Sequence, residues 1–289
     1  MDKNSITGVV LIVAIVFGYN YLYPPVIKAP QEAKTETVVL EEQANTTTEF
    51  EKAEFAASTL TTINPEQYSN QYGSFAVSAE GDNTPILIEN EKIELTISPK
   101  GGRIISAILK EYVTSKGDSL NLISEDSSKF NISFFSENRI INTEELFFSS
   151  YDQSDNSVSM RLLADNGGYL EYVYSLRPDD YMVDFEINNS NLQNLIPANQ
   201  NAMELDWSLN LPHTEKSLEN ERLYSTTYFK YLNDEVDYLS ETKDDEEELI
   251  GKVQWIGFKH QFFSSVLINN QGFEKSTSVS ATTNEFSKN

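Results

Sequence analysis

The chain has no cysteine among its 289 residues, so it can build no disulfide framework, thiolate nucleophile or zinc–cysteine cluster. That absence suits either side of a bacterial membrane and decides no compartment. Histidine is almost missing too: His213 and His260 are the only two, which leaves little material for imidazole-based acid–base work. Basic residues are scarce. Against 45 Asp and Glu stand 21 Lys and Arg, a formal charge of −24. That balance argues against nucleic acid, whose phosphates need a basic face, and against adhesion to anionic lipid headgroups. Long apolar runs are lacking as well, with one exception at the N-terminus.

That exception, Ile6 to Tyr23 (ITGVVLIVAIVFGYNYLY), carries no charge. Its roughly 18 residues would make a helix about 27 Å long, close to the ~30 Å hydrocarbon layer of a bilayer. Tyr19, Tyr21 and Tyr23 fall at its end, where amphipathic rings favour the interface, and Pro24 and Pro25 stop the helix. The competing reading is a cleaved signal peptide. Residues 1–5 are short and nearly neutral, however, and no small-residue cleavage site follows the run. The expectation is an uncleaved transmembrane helix over 6–23 that anchors the chain in a lipid bilayer. Lys3 on one side is matched by Lys28 and Lys34 on the other, so loop charge alone fixes no orientation.

Residues 24–83 are rich in Glu, Thr, Asn, Gln and Ala without a sustained hydrophobic period, which predicts a disordered tether. As a flexible coil of about 60 residues it would reach on the order of 40 Å. From residue 84 the apolar period becomes two. Ile93, Leu95 and Ile97 alternate with polar neighbours, as do Leu170–Leu176, Tyr181–Ile187 and Met203–Leu211. Each pattern predicts a strand with one buried and one wet face. SPKGG (98–102), DNGG (165–168) and RPDD (177–180) supply turn chemistry between them. Strands recur without strongly helical patterns, which predicts an all-β, mostly antiparallel sandwich over 84–289.

Candidate chemistry is thin. His213 and His260 plus a carboxylate could act as acid and base in an epimerase, but no spacing links them, and each reads better as a surface or satisfied core histidine. The acidic run Asp244–Glu248 lacks the alternation and central glycine of a calcium loop and predicts a solvated loop. PKGG is too short for a phosphate loop. The segment KVQWIGFKHQFFSSVLI (252–268) is interrupted by Lys259 and His260, so neither half spans a membrane. Its period predicts a long strand, or two joined by a bend, with Ile256, Phe258, Phe262, Val266 and Ile268 on one side as core. Gly251 and the NNQG at 269–272 bracket it.

Three stretches together resemble the YidC family of membrane protein insertases, in the form of Bacteroidetes-like bacteria with an outer membrane. They are the opening MDKNSITGVVLIVAIVFGY, then IENEKIELTISPKGGRIISAILKEY (88–112), and the segment around Trp255, Gln261, Phe262 and Phe263. The resemblance implies residues 1–5 in the cytoplasm, the helix in the inner membrane and the β domain in the periplasm. It implies an antiparallel β-supersandwich similar to galactose mutarotase, and an insertase and chaperone whose partners are nascent inner-membrane proteins and the Sec translocon. The family's activity lies in a five-helix bundle. No apolar run of spanning length follows Phe263, so this chain is expected to be an N-terminal portion with its β domain incomplete at the C-terminus. Catalytic, cofactor-binding and metal-binding residues are none on this reading, and the protein is not an enzyme. The alternative is a membrane-anchored carbohydrate-binding or epimerase-like sandwich.

Overall fold

The protein is described by a computed structural model over residues 65–200, 202–233, 235–274 and 277–282. The expected cytoplasmic start, the membrane helix at 6–23 and the tether from 24 to 64 lie outside the described residues. Among the described residues no helix is long and apolar enough to cross a membrane.

The first element is a helix, α1 (Pro65–Tyr72), which runs into a 3-10 turn at Gly73–Ser78. Here the structure departs from the tether expected over 24–83. Phe75 is fully buried, Tyr72 and Ala79 join the core, and the Phe75 ring meets Phe134 edge-on at 5.4 Å. The polar composition of PEQYSNQYGSFAVS hides this, because only a few apolar side chains per turn are needed to cover a sheet end. The Glu137 carboxylate fixes the turn by accepting the Ser74 N–H at 2.9 Å.

Strands then follow in pairs. β1 (Ile86–Glu89), β2 (Ile93–Ser98), β3 (Arg103–Val113) and β4 (Ser119–Asn121) form one sheet in that order. β5 (Ser128–Ser136) and β6 (Arg139–Asn142) make a hairpin. β7 (Ser149–Tyr151), β8 (Ser157–Leu163), β9 (Tyr169–Leu176) and β10 (Val183–Ser190) form a meander, and β11 (Glu204–Leu209) returns to pair with β5. A short helix, α2 (Leu218–Leu223), leads into β12 (Thr226–Tyr231), β13 (Val236–Tyr238), β14 (Asp245–Leu249), β15 (Val253–Lys259), β16 (Ser264–Phe273) and β17 (Thr277–Ala281). These six strands make a sheet ordered β13-β12-β15-β16 and a β14–β17 ribbon. Every pairing among the named strands is antiparallel, so the fold class is all-β.

The alternation read from the sequence places the inward faces of β2 and β9: Ile93, Leu95, Ile97, and Leu170, Tyr172, Tyr174, Leu176 are buried. In β10 only Val183 and Phe185 reach the core, while Ile187 is 43% exposed because this strand is the outer one of its sheet. One large core gathers side chains from α1 and from the sheets of β1–β4, β5–β6–β11 and β7–β10. A smaller core of Phe229, Leu239, Leu249, Val253 and Val279 lies between the β12–β15 sheet and the β14–β17 ribbon.

Three expectations change at the second core. The acidic run is not a solvated loop: residues 245–249 are strand β14, paired with β17, with Glu246, Glu247 and Glu248 exposed and Leu249 buried. The NNQG stretch does not end the strand but forms a bulge within β16, where the register jumps from Trp255↔Ile268 to Val253↔Phe273 and Gly272 takes a φ of 81°. Residues 252–268 are two strands joined by a turn, as anticipated, yet Phe262, Val266 and Ile268 are exposed rather than core. β16 lies at the edge of its sheet, and one side of it has no covering layer among the described residues.

At the centre of the large core Tyr172 packs on Phe148 at 4.6 Å and Phe185 at 5.3 Å, above Gly102, whose added Cβ would lie 3.0 Å from the Tyr172 ring. Gly102 has a φ of 61°, so the SPKGG turn needs glycine there on both counts. The Tyr174 hydroxyl donates to the Gly102 carbonyl at 2.7 Å, whereas the buried Tyr172 hydroxyl has the Thr143 side chain beside it but no partner at hydrogen-bond geometry among the described residues. A buried polar group without a partner keeps its desolvation cost. Tyr172→Phe is therefore expected to stabilise the full chain by up to about 1 kcal/mol. A thermal melt showing a lower midpoint for the variant would contradict this account of the core.

Candidate functional site

Folding brings together the two histidines that sequence spacing left unconnected. The link is Glu221, a residue that sequence reading passed over. His213 follows Pro212 at the exit from β11; Glu221 sits on α2, started by Ser217 as N-cap; and His260 closes β15 at the turn into β16. The Glu221 carboxylate is 4% exposed as a residue and accepts from three donors. Its Oε1 takes the Thr214 N–H at 2.9 Å and the Thr214 hydroxyl at 2.7 Å, and its Oε2 bonds His213 Nδ1 at 2.5 Å. His260 Nδ1 lies 3.9 Å from Oε1, beyond hydrogen-bond reach. Both ring nitrogens of His260 are buried without a partner.

The surroundings clamp the same place. The His260 N–H bonds the Phe263 carbonyl at 2.7 Å, which closes the turn. Lys259 donates to the Tyr224 carbonyl at the end of α2, and Ser115 N–H donates to the Thr214 carbonyl from the β3–β4 loop. Phe263 itself packs on the large core, edge-on to Tyr112 at 5.2 Å. The cluster thus stands where the β13-β12-β15-β16 sheet meets the large core.

Burial raises the Glu221 pKa, but the Thr214 backbone, the His213 ring and the Thr214 hydroxyl outweigh it, and the net shift is downward from 4.5. Burial lowers the His260 pKa below 6.5, opposed by the Glu221 charge. A carboxylate between two imidazoles has the parts of a proton relay. Here Glu221 already accepts on both oxygens and His260 is 1% exposed, so no substrate atom reaches either. Two grooves at the β1 edge are lined by other residues. Among the described residues, no group of three His, Asp or Glu is arranged to hold a metal ion. The arrangement acts as a polar lock between segments.

Comparison with known proteins defines the class. Residues 85–289 match the family model described as the YidC periplasmic domain. The chain belongs to the YidC family. It is 37% identical over 279 residues to the membrane protein insertase YidC of Porphyromonas gingivalis, covering 95% of this chain and 44% of that protein. The membrane protein insertase YidC of Phocaeicola vulgatus is 35% identical over 281 residues, covering 97% of this chain and 45% of its own length. The chain thus spans less than half the length of these curated relatives. Among solved structures, a galactose mutarotase-like protein from Lactobacillus casei superposes with a TM-score of 0.43 at 10% identity, over 65% of this chain and 80% of that one. A likeness so remote carries no sugar chemistry to this chain.

Two outcomes test the lock. Both shifts are downward, so the unfolded chain binds more protons than the folded one, His260 acting first below about pH 6.5 and Glu221 below about 4.5. Stability should fall as pH drops from 7 to 5, and His260→Phe should flatten that slope in thermal melts of the full chain; an unchanged slope would assign the acid response elsewhere. Glu221→Ala strands three donors and should cost about 3 kcal/mol, more than Glu221→Gln, which keeps acceptor oxygen in place.

Proposed function

We propose that this chain is the N-terminal part of a membrane protein insertase and chaperone that handles inner-membrane proteins, alone or beside the Sec translocon. Residues 6–23 anchor it in the inner membrane with residues 1–5 in the cytoplasm, and the β domain stands in the periplasm. The observation that carries this reading is the match of residues 85–289 to a periplasmic domain, preceded by an uncharged apolar run of spanning length. The supersandwich relation to galactose mutarotase belongs to the same reading and concerns fold alone. The domain would supply no insertion chemistry itself. Its acidic surface keeps it away from anionic headgroups, and its role is to present edges and faces to partners on the outer side of the membrane.

The absence of cysteine makes a clean test available. A single cysteine at Lys116, in the exposed β3–β4 loop, should react with a membrane-impermeant maleimide added to spheroplasts. A cysteine at Ser5 should react only after the membrane is opened. The reverse pattern would overturn the orientation. Photo-crosslinkers on exposed sheet positions such as Val266 should capture nascent membrane proteins or a Sec component. Crosslinks to neither would count against a chaperone role.

A further inference from the structure

The edge of β1 offers a binding feature that the lock and the anchor leave unused. β1 is the outer strand of its sheet, and β7 is the outer strand of the neighbouring one. Asn90 N–H bonds the Ile93 carbonyl, in register with Ile88↔Leu95 and Ile86↔Ile97. The even-numbered residues of β1 therefore exchange hydrogen bonds with β2, and Leu87 and Glu89 turn their backbone groups outward. Glu89 N–H follows this rule and donates to the Asp155 carbonyl at 2.7 Å, which pins the two edges together at one end. At the other end they part. Leu87, 47% exposed, has an outward N–H that no described residue accepts, and its carbonyl meets only the Gln153 amide at 3.5 Å.

The parting edges enclose a groove of about 470 Å³, walled by Val77, Ile86, Leu87 and Phe147 and rimmed by Ser149 and Ser150 of β7. That falls within the range of about 300–1,000 Å³ usual for ligand clefts. Its carboxylates outnumber its cations: Glu80 and Asp82 line it and Glu89 and Asp155 line its continuation, against Lys100, whose ammonium stands 5.9 Å from the Phe147 ring of the wall. Glu89 is balanced by Lys110 at 2.6 Å; Glu80 accepts the Tyr68 hydroxyl at 3.1 Å and Asp82 the Thr84 N–H and hydroxyl, neutral donors that leave both charges in place. An acidic occupant is repelled. Residues 24–64 carry more Glu than Lys, and a second copy carries −24, so neither this chain's own segment nor self-association suits the groove.

We propose that the wedge between β1 and β7 accepts an extended polypeptide segment bearing lysine or arginine, which adds to β1 as a strand. The Leu87 N–H and carbonyl supply one pair of backbone bonds, since Pro85 has no N–H and the Glu89 N–H is taken by Asp155; Val77, Leu87 and Phe147 meet the apolar side chains of the segment, and Glu80 and Asp82 face the cationic ones. The proposal goes beyond the insertase reading, and its failure would leave the family and membrane orientation untouched.

The test titrates a fluorescent peptide of alternating lysine and valine into the full chain in detergent and follows anisotropy. Saturable binding is expected, weakened by salt and lost when alternate peptide nitrogens are methylated. Leu87→Pro removes the outward N–H together with the Leu87 side chain of the groove wall and should weaken binding roughly tenfold, whereas Leu87→Ala, which keeps the N–H, should weaken it less. Hydrogen exchange on the parent protein gives a readout that needs no variant: the Leu87 amide should slow on peptide addition. Non-saturable binding, an unprotected Leu87 amide, or equal affinity in a Leu87→Pro variant that melts like the parent would each overturn the proposal.

Discussion

No sheet among the described residues exceeds four strands, so each leaves an apolar face that only another sheet can cover. The domain answers this by sharing rather than by widening. Ile93, Leu95 and Ile97 of β2, Ile132 and Phe134 of β5, and Leu170, Tyr172 and Tyr174 of β9 point into one core, with Phe75 closing an open end. Removing any one sheet would expose the others. Burial at roughly 25 cal/mol per Å² makes that shared core the main source of stability, and it explains why a polar segment such as 65–78 is recruited for a single phenylalanine.

The β13-β12-β15-β16 sheet shares a small core with the β14–β17 ribbon and needs a different joint to the large core. Apolar contacts at the joint are few: Phe263 on Tyr112, and Trp207 on Phe258 at 4.4 Å. Such contacts set closeness without setting direction. The Glu221 carboxylate ties α2 to Thr214 and His213, and that unit is held on both sides, by the Ser115 N–H on the Thr214 carbonyl and by Lys259 on the Tyr224 carbonyl. Burying the Glu221 charge is tolerable only with its three donors, and the arrangement trades acid stability for a fixed connection between β11 and β12.

Local patterns made the large core legible. Period-two alternation marked the inward faces of β2 and β9, and the turns SPKGG, DNGG and RPDD fell where β-strands end. What stayed hidden depended on distant partners. Nothing local marks Glu221 as inward, since SLENERL reads as a short exposed helix, and His213 and His260 meet only because α2 folds back to the β15–β16 turn. The acidic run became β14 because an exposed strand face tolerates Glu as long as Leu249 pairs inward, a cue too small to outweigh five charges in sequence. Phe262, Val266 and Ile268 read as core by pattern, but pattern does not tell an edge strand such as β16 from a central one, nor place Phe262 in the turn before it.

Edges bring the charge of the molecule into the same account. Open edges at β1, β7, β13 and β16 would pair with one another between copies if backbone alone decided. Acidic side chains stand close by: Glu89 on β1, Asp152 and Asp155 after β7, Asp237 on β13. At −24 overall, two copies approaching edge to edge bring like charges together in a medium that screens them only beyond about 8–10 Å. The repulsion is felt at the short distance where a strand would dock. The same field lowers the barrier for a cationic chain and raises it for an acidic one, so composition decides who is admitted to an edge that geometry leaves open.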